Sequence, residues 1–205
     1  MWSSERAGRG NPHPRMFKML MLRRAPGRRP AGIFLLAVAC LAGCRAASPP
    51  VTPAGQAPLK LTSSSFQGDR IPAKFTCDGA GTSPQFAWNA PPAATASLAL
   101  LVTDPDAPGG TFVHWILYNL PAATRELPEG QSQLPSGARQ GRNDFGNIGY
   151  GGPCPPGKSA HHYVFSLYAL NVPLNLPQGA ALAEIKAAMQ GHILAHGELI
   201  ALYPR

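Results

Sequence analysis

The sequence predicts a mostly β fold, a β-sandwich of the Greek-key type with one or two short helices. Residues 96–103, 112–119 and 161–170 are runs of strand length that are rich in apolar, aromatic and β-branched residues. Clusters of proline and glycine lie between them, as in 104–110 and 146–157, and such clusters mark turns and loops. Several short strands divided by loops are typical of a β-sandwich.

The clearest helix is predicted close to the C-terminus, over residues 180–190. Its apolar residues recur at helical spacing, at Leu182, Ile185 and Met189. Gly191 follows them and is the expected C-terminal cap. Residues 198–203 then predict a last strand.

The first 43 residues predict a lipoprotein signal peptide. Basic residues precede an apolar run over 31–42, which is short for a bilayer span and ends in Leu-Ala-Gly-Cys at Cys44. This ending resembles the lipobox of bacterial lipoproteins, in which the cysteine thiol takes the lipid. Arg45 is not the aspartate that retains lipoproteins at an inner membrane, so by resemblance to that rule we expect the periplasmic face of the outer membrane in a cell with two membranes. A plain signal peptide or an apolar anchor with an incidental cysteine is the alternative.

The remaining chain is predicted to consist of a Pro- and Ala-rich tether, 44–58, and a single domain, 59–205. The whole chain has 18 basic and 10 acidic residues, but eight and one of them precede Cys44, which leaves ten against nine. The net charge of +8 therefore belongs mainly to the signal peptide. A nearly neutral domain lacks the basic surface that nucleic acid requires, so no nucleic-acid partner is predicted.

Residues 152–159 match the letters of a phosphate-binding loop, G-x-x-x-x-G-K-[ST]. Three of the four spacer positions are prolines, which have no backbone N–H to offer a phosphate. The segment that follows predicts a strand, whereas a phosphate-binding loop opens a helix. We therefore interpret the match as accidental.

Cys77 and Cys154 are the two cysteines of the predicted domain. An even pair in an exported protein favours a disulfide. Two separate buried thiols are the alternative, since two cysteines make a thin framework. A redox site is not predicted because no C-x-x-C motif occurs.

Strand alternation indicates which polar side chains can meet. On the second run, His114 is expected to share a face with Ile116 and Tyr118. On the third run, His161 is expected to share a face with Tyr163, while the next histidine points away. If the two strands are neighbours, His114, His161 and Tyr163 converge beneath the adjacent loops, in a pocket suited to a phosphate monoester.

Several longer motifs carry a family resemblance. They occur in order across the domain, at residues 71–79, 83–84, 104–108, 114–115, 118–121, 143–146, 149–156, 161–163 and 188–192. The set resembles the phosphatidylethanolamine-binding protein family, in the bacterial branch also called Raf kinase inhibitor-like. The resemblance implies a β-sandwich with a shared anion pocket and no known reaction.

The resemblance also implies the residues of that pocket. It carries over the polar residues Asp104, His114, His161 and Tyr163, with walls shaped by Asp106, Pro108, Pro155 and Pro156. One departure is His162, where the family usually has an arginine, so a titratable group replaces a surface cation. The other is Gly157-Lys158, where the family usually has another residue before the glycine.

The leading functional prediction is a non-enzymatic, lipid-anchored binding protein for a small anionic or phosphorylated ligand, without cofactor or metal. It could regulate a kinase, a protease or another envelope partner. The alternative is a metal-dependent hydrolase using Asp104, Asp106, His114 and His161, although no diagnostic ligand spacing such as H-E-x-x-H occurs. A third class is an inhibitor of an envelope protease or a host protein, acting through the loops 79–84 and 146–158.

Overall fold

The computed structural model describes residues 58–157 and 159–204. The predicted signal peptide, Cys44 and the tether up to residue 57 lie outside the described residues. The elements are β1 (Leu61–Thr62), a 3-10 turn (Ala73–Phe75), β2 (Phe86–Trp88), β3 (Ser97–Asp104), β4 (Phe112–Pro121), β5 (Glu126–Leu127), β6 (Arg139–Gln140), β7 (His161–Leu170), α1 (Leu182–Met189) and β8 (Ile193–Tyr203). In this part of the chain no helix has the length and hydropathy needed to cross a bilayer.

The strands form two antiparallel sheets. One has the order β6-β4-β3-β7-β8, and the other has the order β1-β2-β5. The main core joins the two sheets, with Leu61, Phe86, Trp88 and Leu127 from the smaller sheet and Leu100, Val102, Trp115 and Phe165 from the larger. Burial of these apolar faces drives the two sheets together, which confirms the predicted β-sandwich.

The helix α1 covers the other face of the larger sheet and confirms the predicted helix. Ile185 and Met189 are buried in a second core, and Leu182 packs against it. At the helix start the Glu184 carboxylate accepts a hydrogen bond from the Ala181 N–H at 2.7 Å. Gly191 follows the helix with φ +76°, a left-handed conformation that glycine adopts without a steric penalty.

The last strand begins at Ile193, five residues before its predicted start. Gly197 lies inside this strand, and glycine weakens a strand pattern in the sequence. A Cβ atom on Gly197 would lie only 2.0 Å from the Leu59 carbonyl oxygen. The glycine therefore allows the backbone before β1 to cross β8 at close range.

The two histidine-bearing strands β4 and β7 are not neighbours. β3 lies between them and pairs with both. The strands of His114 and His161 therefore share no backbone hydrogen bonds. Their side chains can approach each other only across β3. The sequence prediction assumed that these two strands are neighbours, and this assumption is wrong. The ends of the two strands nevertheless lie at the same edge of the sheet.

The predicted face of His114 is also wrong, because β4 contains a β-bulge. Val102 pairs with Trp115, whereas the next residue, Thr103, pairs with Val113. His114 is thus the extra residue of β4 and has no partner in the β3–β4 register. A bulge of this kind bends the strand and redirects side chains.

The bulge reverses the alternation of β4. Val113, and not His114, joins Ile116 and Tyr118 in the core beneath α1. The His114 ring instead contacts the Tyr163 ring edge-on, with 5.1 Å between centroids. On β7 the alternation is regular, so His161 and Tyr163 share one face of the strand, as predicted, and both are buried.

Candidate ligand-binding site

A cavity of about 230 Å³ lies where β3, β4 and β7 approach the loops that follow β3 and precede β7. Its polar lining consists of Asp104, His114 and Tyr163. Its remaining walls are Ala107, Pro108, Phe112, Phe145, Cys154, Pro155 and Pro156. No lysine or arginine lies among the described residues that line this cavity.

Six of the eight predicted ligand-binding residues line the cavity, namely Asp104, Pro108, His114, Pro155, Pro156 and Tyr163. The other two lie behind it. His161 contacts Asp104 from the protein interior, and Asp106 turns to the surface. The structure thus separates residues that would contact a ligand from residues that hold them in position.

Asp104 is the last residue of β3 and is only 3% exposed. Its Oδ1 accepts a hydrogen bond from the Asp106 N–H at 2.8 Å. Its Oδ2 accepts one from His161 Nδ1 at 2.7 Å. These two bonds fix the carboxylate, and each oxygen keeps a lone pair for a further donor.

His114 is held by a pair of hydrogen bonds with Gly151. Its Nδ1 donates to the Gly151 carbonyl at 2.8 Å, and the Gly151 N–H donates to the His114 carbonyl at 2.9 Å. Burial lowers the pKa of His114, because the charged imidazolium loses its hydration, and the effect exceeds that of the Gly151 carbonyl. The ring is therefore neutral at pH 7, and since Nδ1 carries the proton, Nε2 is a hydrogen-bond acceptor.

The Tyr163 hydroxyl is the donor of the cavity. It is fully buried and has no well-formed hydrogen bond to the described residues. Burial raises the pKa of Tyr163, and the Asp104 carboxylate raises it further, whereas an interaction with the Cys154 backbone has a smaller opposite effect. The phenol stays protonated, and a buried hydroxyl without a partner costs free energy until a ligand accepts its hydrogen bond.

Phe145 forms an aromatic wall that sequence reasoning did not assign to the pocket. It contacts Phe112 and His114 edge-on, with centroid distances of 4.8 and 5.5 Å. The buried Asn143 positions this wall, since its Oδ1 accepts hydrogen bonds from the N–H groups of Phe145 and Asn147. The N-D-F-G motif at 143–146 was the available signal, but its letters do not indicate which side chain turns inward.

A second cavity of about 230 Å³ adjoins the first. Phe145 and Cys154 line both cavities. The second is otherwise lined by Cys77, Asn143, Asn147, Tyr150, Gly151 and Gly152. Phe145 and Cys154 therefore lie between the two cavities.

Cys77 and Cys154 form a disulfide, with 5.4 Å between their Cα atoms. The pairing that was one of two alternatives in the sequence is therefore confirmed. The Cys77 N–H also donates to the Pro153 carbonyl at 3.0 Å. Gly152 permits this approach, because a Cβ atom there would lie 2.8 Å from the Phe75 carbonyl oxygen. The disulfide ties one wall of the cavity to the segment around the 3-10 turn.

Asp106 forms the rim of the site with His162. Its Oδ2 accepts hydrogen bonds from the His162 backbone N–H at 2.8 Å and from His162 Nδ1 at 2.7 Å. These bonds, the backbone one foremost, lower the pKa of Asp106. Both side chains are exposed, so the pair stabilises the loop after β3 on its solvent side.

The four residues of the alternative metal site do not gather around one point. Asp104 bonds to His161, Asp106 bonds to His162, and His114 bonds to a carbonyl. Across 58–157 and 159–204 there is no group of three or more His, Cys, Asp or Glu side chains placed to hold a metal ion. The segment 152–159, which matches the letters of a phosphate-binding loop, leads into β7 and not into a helix, as predicted.

Comparison with known proteins agrees with this architecture. The sequence profile of the phosphatidylethanolamine-binding proteins matches residues 62–204. The chain belongs to this family. A UPF0098 protein of Aquifex aeolicus is 48% identical over 157 residues, which cover 74% of this chain and 92% of that protein.

Two further relatives bear on the fold and on the cell compartment. The crystal structure of Escherichia coli YbcL, described as a member of the mammalian family, superposes with a TM-score of 0.68 at 34% identity and covers 73% of this chain and 99% of that one. A Mycobacterium tuberculosis protein named LppC, a proposed lipoprotein, is 46% identical over 132 residues, 63% of this chain and 64% of that protein. This protein therefore has the family's binding-protein fold.

Proposed function

We propose that this protein is a non-enzymatic, lipid-anchored binding protein that takes a small phosphorylated anion into the cavity lined by Asp104, His114 and Tyr163. The observation that carries the proposal is the buried Tyr163 hydroxyl. It lines a cavity of about 230 Å³ and has no well-formed hydrogen bond to the described residues. Native proteins rarely leave such a group unpaired, and the usual explanation is a missing ligand or water.

The size of the cavity supports a small ligand. Its volume of about 230 Å³ lies below the range of roughly 300–1,000 Å³ that is usual for sites of drug-sized ligands. A phosphoryl group with a short substituent fits this space, whereas a phospholipid with two acyl chains does not.

The walls supply the recognition of such a group. Proline and phenylalanine exclude water, which strengthens the few hydrogen bonds inside. Tyr163 donates to a phosphoryl oxygen, while Asp104 and His114 meet the ligand as acceptors. The cysteine sulfur of the described lining, that of Cys154, is bonded to Cys77 in a disulfide.

The anchor is proposed at Cys44, on the periplasmic face of the outer membrane in a cell with two membranes. The tether 44–58 spans at most roughly 50 Å when fully extended, which keeps the cavity close to the lipid surface. The lipoprotein name of the mycobacterial relative supports an anchored protein. Incorporation of labelled palmitate into the full chain, and its loss in Cys44→Ser, is the expected result.

Calorimetry of the full chain in detergent tests the ligand. Inorganic phosphate and phosphoethanolamine are titrated with and without EDTA, against His114→Ala, Tyr163→Phe and the control Tyr150→Phe. We expect saturable binding that does not depend on EDTA and that weakens in the first two variants. Binding of inorganic phosphate should persist in the control, whose hydroxyl donates to the Phe75 carbonyl and lies outside the first cavity. Binding that requires added metal would favour the hydrolase, and no binding would favour a protein partner.

A further inference from the structure

We propose, on the basis of the function just proposed, that the cavity selects phosphoryl groups that still carry an acidic proton. Its ligands are then inorganic phosphate and phosphate monoesters. Phosphodiesters and sulfates, whose oxygens only accept hydrogen bonds at neutral pH, are rejected. This selectivity comes from the balance of donors and acceptors in the lining.

Charge is the first step of the argument. Asp104 contributes a buried carboxylate to the wall, and no described lysine or arginine lines the cavity to offset it. A second carboxylate, that of Asp144, lies near enough to His114 to act on its charge. Every anion therefore meets like charge where solvent screening is weak, and a proton shared between the anion and the wall reduces this repulsion.

The count of hydrogen-bonding groups gives the second step. Both Asp104 oxygens already hold one protein donor and can accept another, and neutral His114 offers Nε2 as an acceptor. Tyr163 is the one polar side chain of the described lining that has a donor to give. The lining side chains are therefore mainly acceptors, and a ligand that brings a donor of its own pairs with more of them. A P–OH group donates to Asp104 or His114 while its neighbouring oxygens accept from Tyr163.

Chemistry then separates the candidate ligands. Monoesters lose their second proton with a pKa of about 6, so the protonated monoanion is present near neutral pH. Phosphodiesters have lost their only proton at this pH, and so have sulfate esters. The phosphoryl group of an intact phospholipid is a diester and has no P–OH donor, whereas the same headgroup released as a monoester has one.

Space is available for the single ester substituent. The cavity itself, at about 230 Å³, holds a phosphoryl group with one short alcohol group.

A bound monoester carries one proton shared with the protein. Above a pH of about 6 binding takes up that proton, so affinity falls by up to tenfold for each pH unit. The titratable groups around the ligand are Asp104, His114 and Tyr163 in the lining, and Asp106, Asp144, His161 and His162 behind it.

The test compares methyl phosphate with methyl sulfate on the purified full chain in detergent, by calorimetry at a pH of about 6. The two ligands have the same shape, and the monoanions have the same charge, but only methyl phosphate has a proton to donate. We expect methyl phosphate to bind roughly 10- to 100-fold more tightly, as expected for loss of a hydrogen bond to a charged group. Phosphoethanolamine should likewise exceed its diester, glycerophosphoethanolamine, which separates a free monoester from a lipid headgroup.

Three outcomes distinguish this inference from the function on which it rests. Equal or tighter binding of methyl sulfate, lost in Tyr163→Phe, would overturn the selectivity and leave the anion cavity standing. Absence of binding by every ligand would overturn both. Asp104→Asn, which places an amide donor in the wall, should narrow or reverse the preference, and a variant with wild-type selectivity would also contradict the proposal.

Discussion

Asp104 and Asp106 both accept a hydrogen bond from a β7 histidine, at the same distance of 2.7 Å, and their surroundings are opposite. In the first pair His161 and Asp104 expose 8% and 5% of their side chains. In the second pair His162 and Asp106 expose 56% and 42%. The same two residue types, spaced by one and two positions along the chain, thus form a core pair and a surface pair.

The difference shows that burial, and not contact distance, assigns the two pairs their roles. Strand alternation turns His161 inward and His162 outward, so each histidine meets one of the two carboxylates. The inner pair fixes a wall of the ligand cavity, where one missing partner leaves a buried polar group. The outer pair is screened by solvent and braces a loop.

The largest effect on stability is expected from removing the disulfide at the wall of the cavity. Replacing both Cys77 and Cys154 by serine removes a cross-link between residues 77 positions apart. The chain-entropy model predicts a loss of about 4 kcal/mol in the free energy of unfolding. Urea unfolding of the wild type with and without reductant should show the same loss, and a change below about 1 kcal/mol would contradict a structural role.

Asp104→Asn is the next largest change, and it alters the inner pair while leaving the outer pair in place. The amide retains an acceptor for the Asp106 N–H but presents a donor or a weaker acceptor to His161 Nδ1. We expect a loss of about 2 kcal/mol, typical of a hydrogen bond to a charged group. Urea unfolding measures it, and an unchanged midpoint would show that burial does not strengthen this pair.

Two tyrosine variants extend the comparison to neighbouring buried hydroxyls. Tyr150→Phe removes a hydroxyl that donates to the Phe75 carbonyl at 2.8 Å, so we expect a loss of about 1 kcal/mol without a change in phosphate affinity. Tyr163→Phe removes a hydroxyl that has no well-formed bond, so stability should hold or rise while affinity falls. Thermal unfolding and calorimetry measure the two effects, and equal destabilisation would contradict the assignment.

The pH dependence of stability should report the buried His114. Its pKa lies below the usual 6.5, so the unfolded chain binds the proton more tightly than the folded one. The free energy of unfolding should therefore fall as pH decreases through 6.5, and level off below the folded pKa. His114→Gln should lack this component in urea unfolding across that range, and identical profiles would contradict a buried neutral imidazole.

The smallest effect is expected for Asp106→Asn, the outer counterpart of Asp104→Asn. Because this pair is exposed, stability at neutral pH should hardly differ from the wild type. The lowered pKa of Asp106 means that its contribution is complete above a pH of 3.8 and is lost as pH falls below that value. Carbon NMR titration should place the Asp106 transition below 3.8, and a large loss at neutral pH would remove the distinction between the pairs.

Local patterns in the sequence were enough to predict the long strands, the helix and the family. The strand β7 and the helix α1 follow from the alternation at 161–170 and from the helical spacing up to Met189. The motifs identified the family and named most of the cavity wall, because residue type and spacing along the chain are enough to define them. The cysteine pair was limited to two alternatives.

The way in which these elements meet depends on contacts that the sequence pattern does not reveal. In the folded protein β3 lies between β4 and β7, and β4 has a bulge at His114. His161 contacts Asp104 from the interior, and Phe145 lines the cavity. Each of these features depends on hydrogen bonds and packing between segments that are distant in the chain. Local periodicity carries no information on such long-range partners, since one added residue in a strand reverses every side chain that follows.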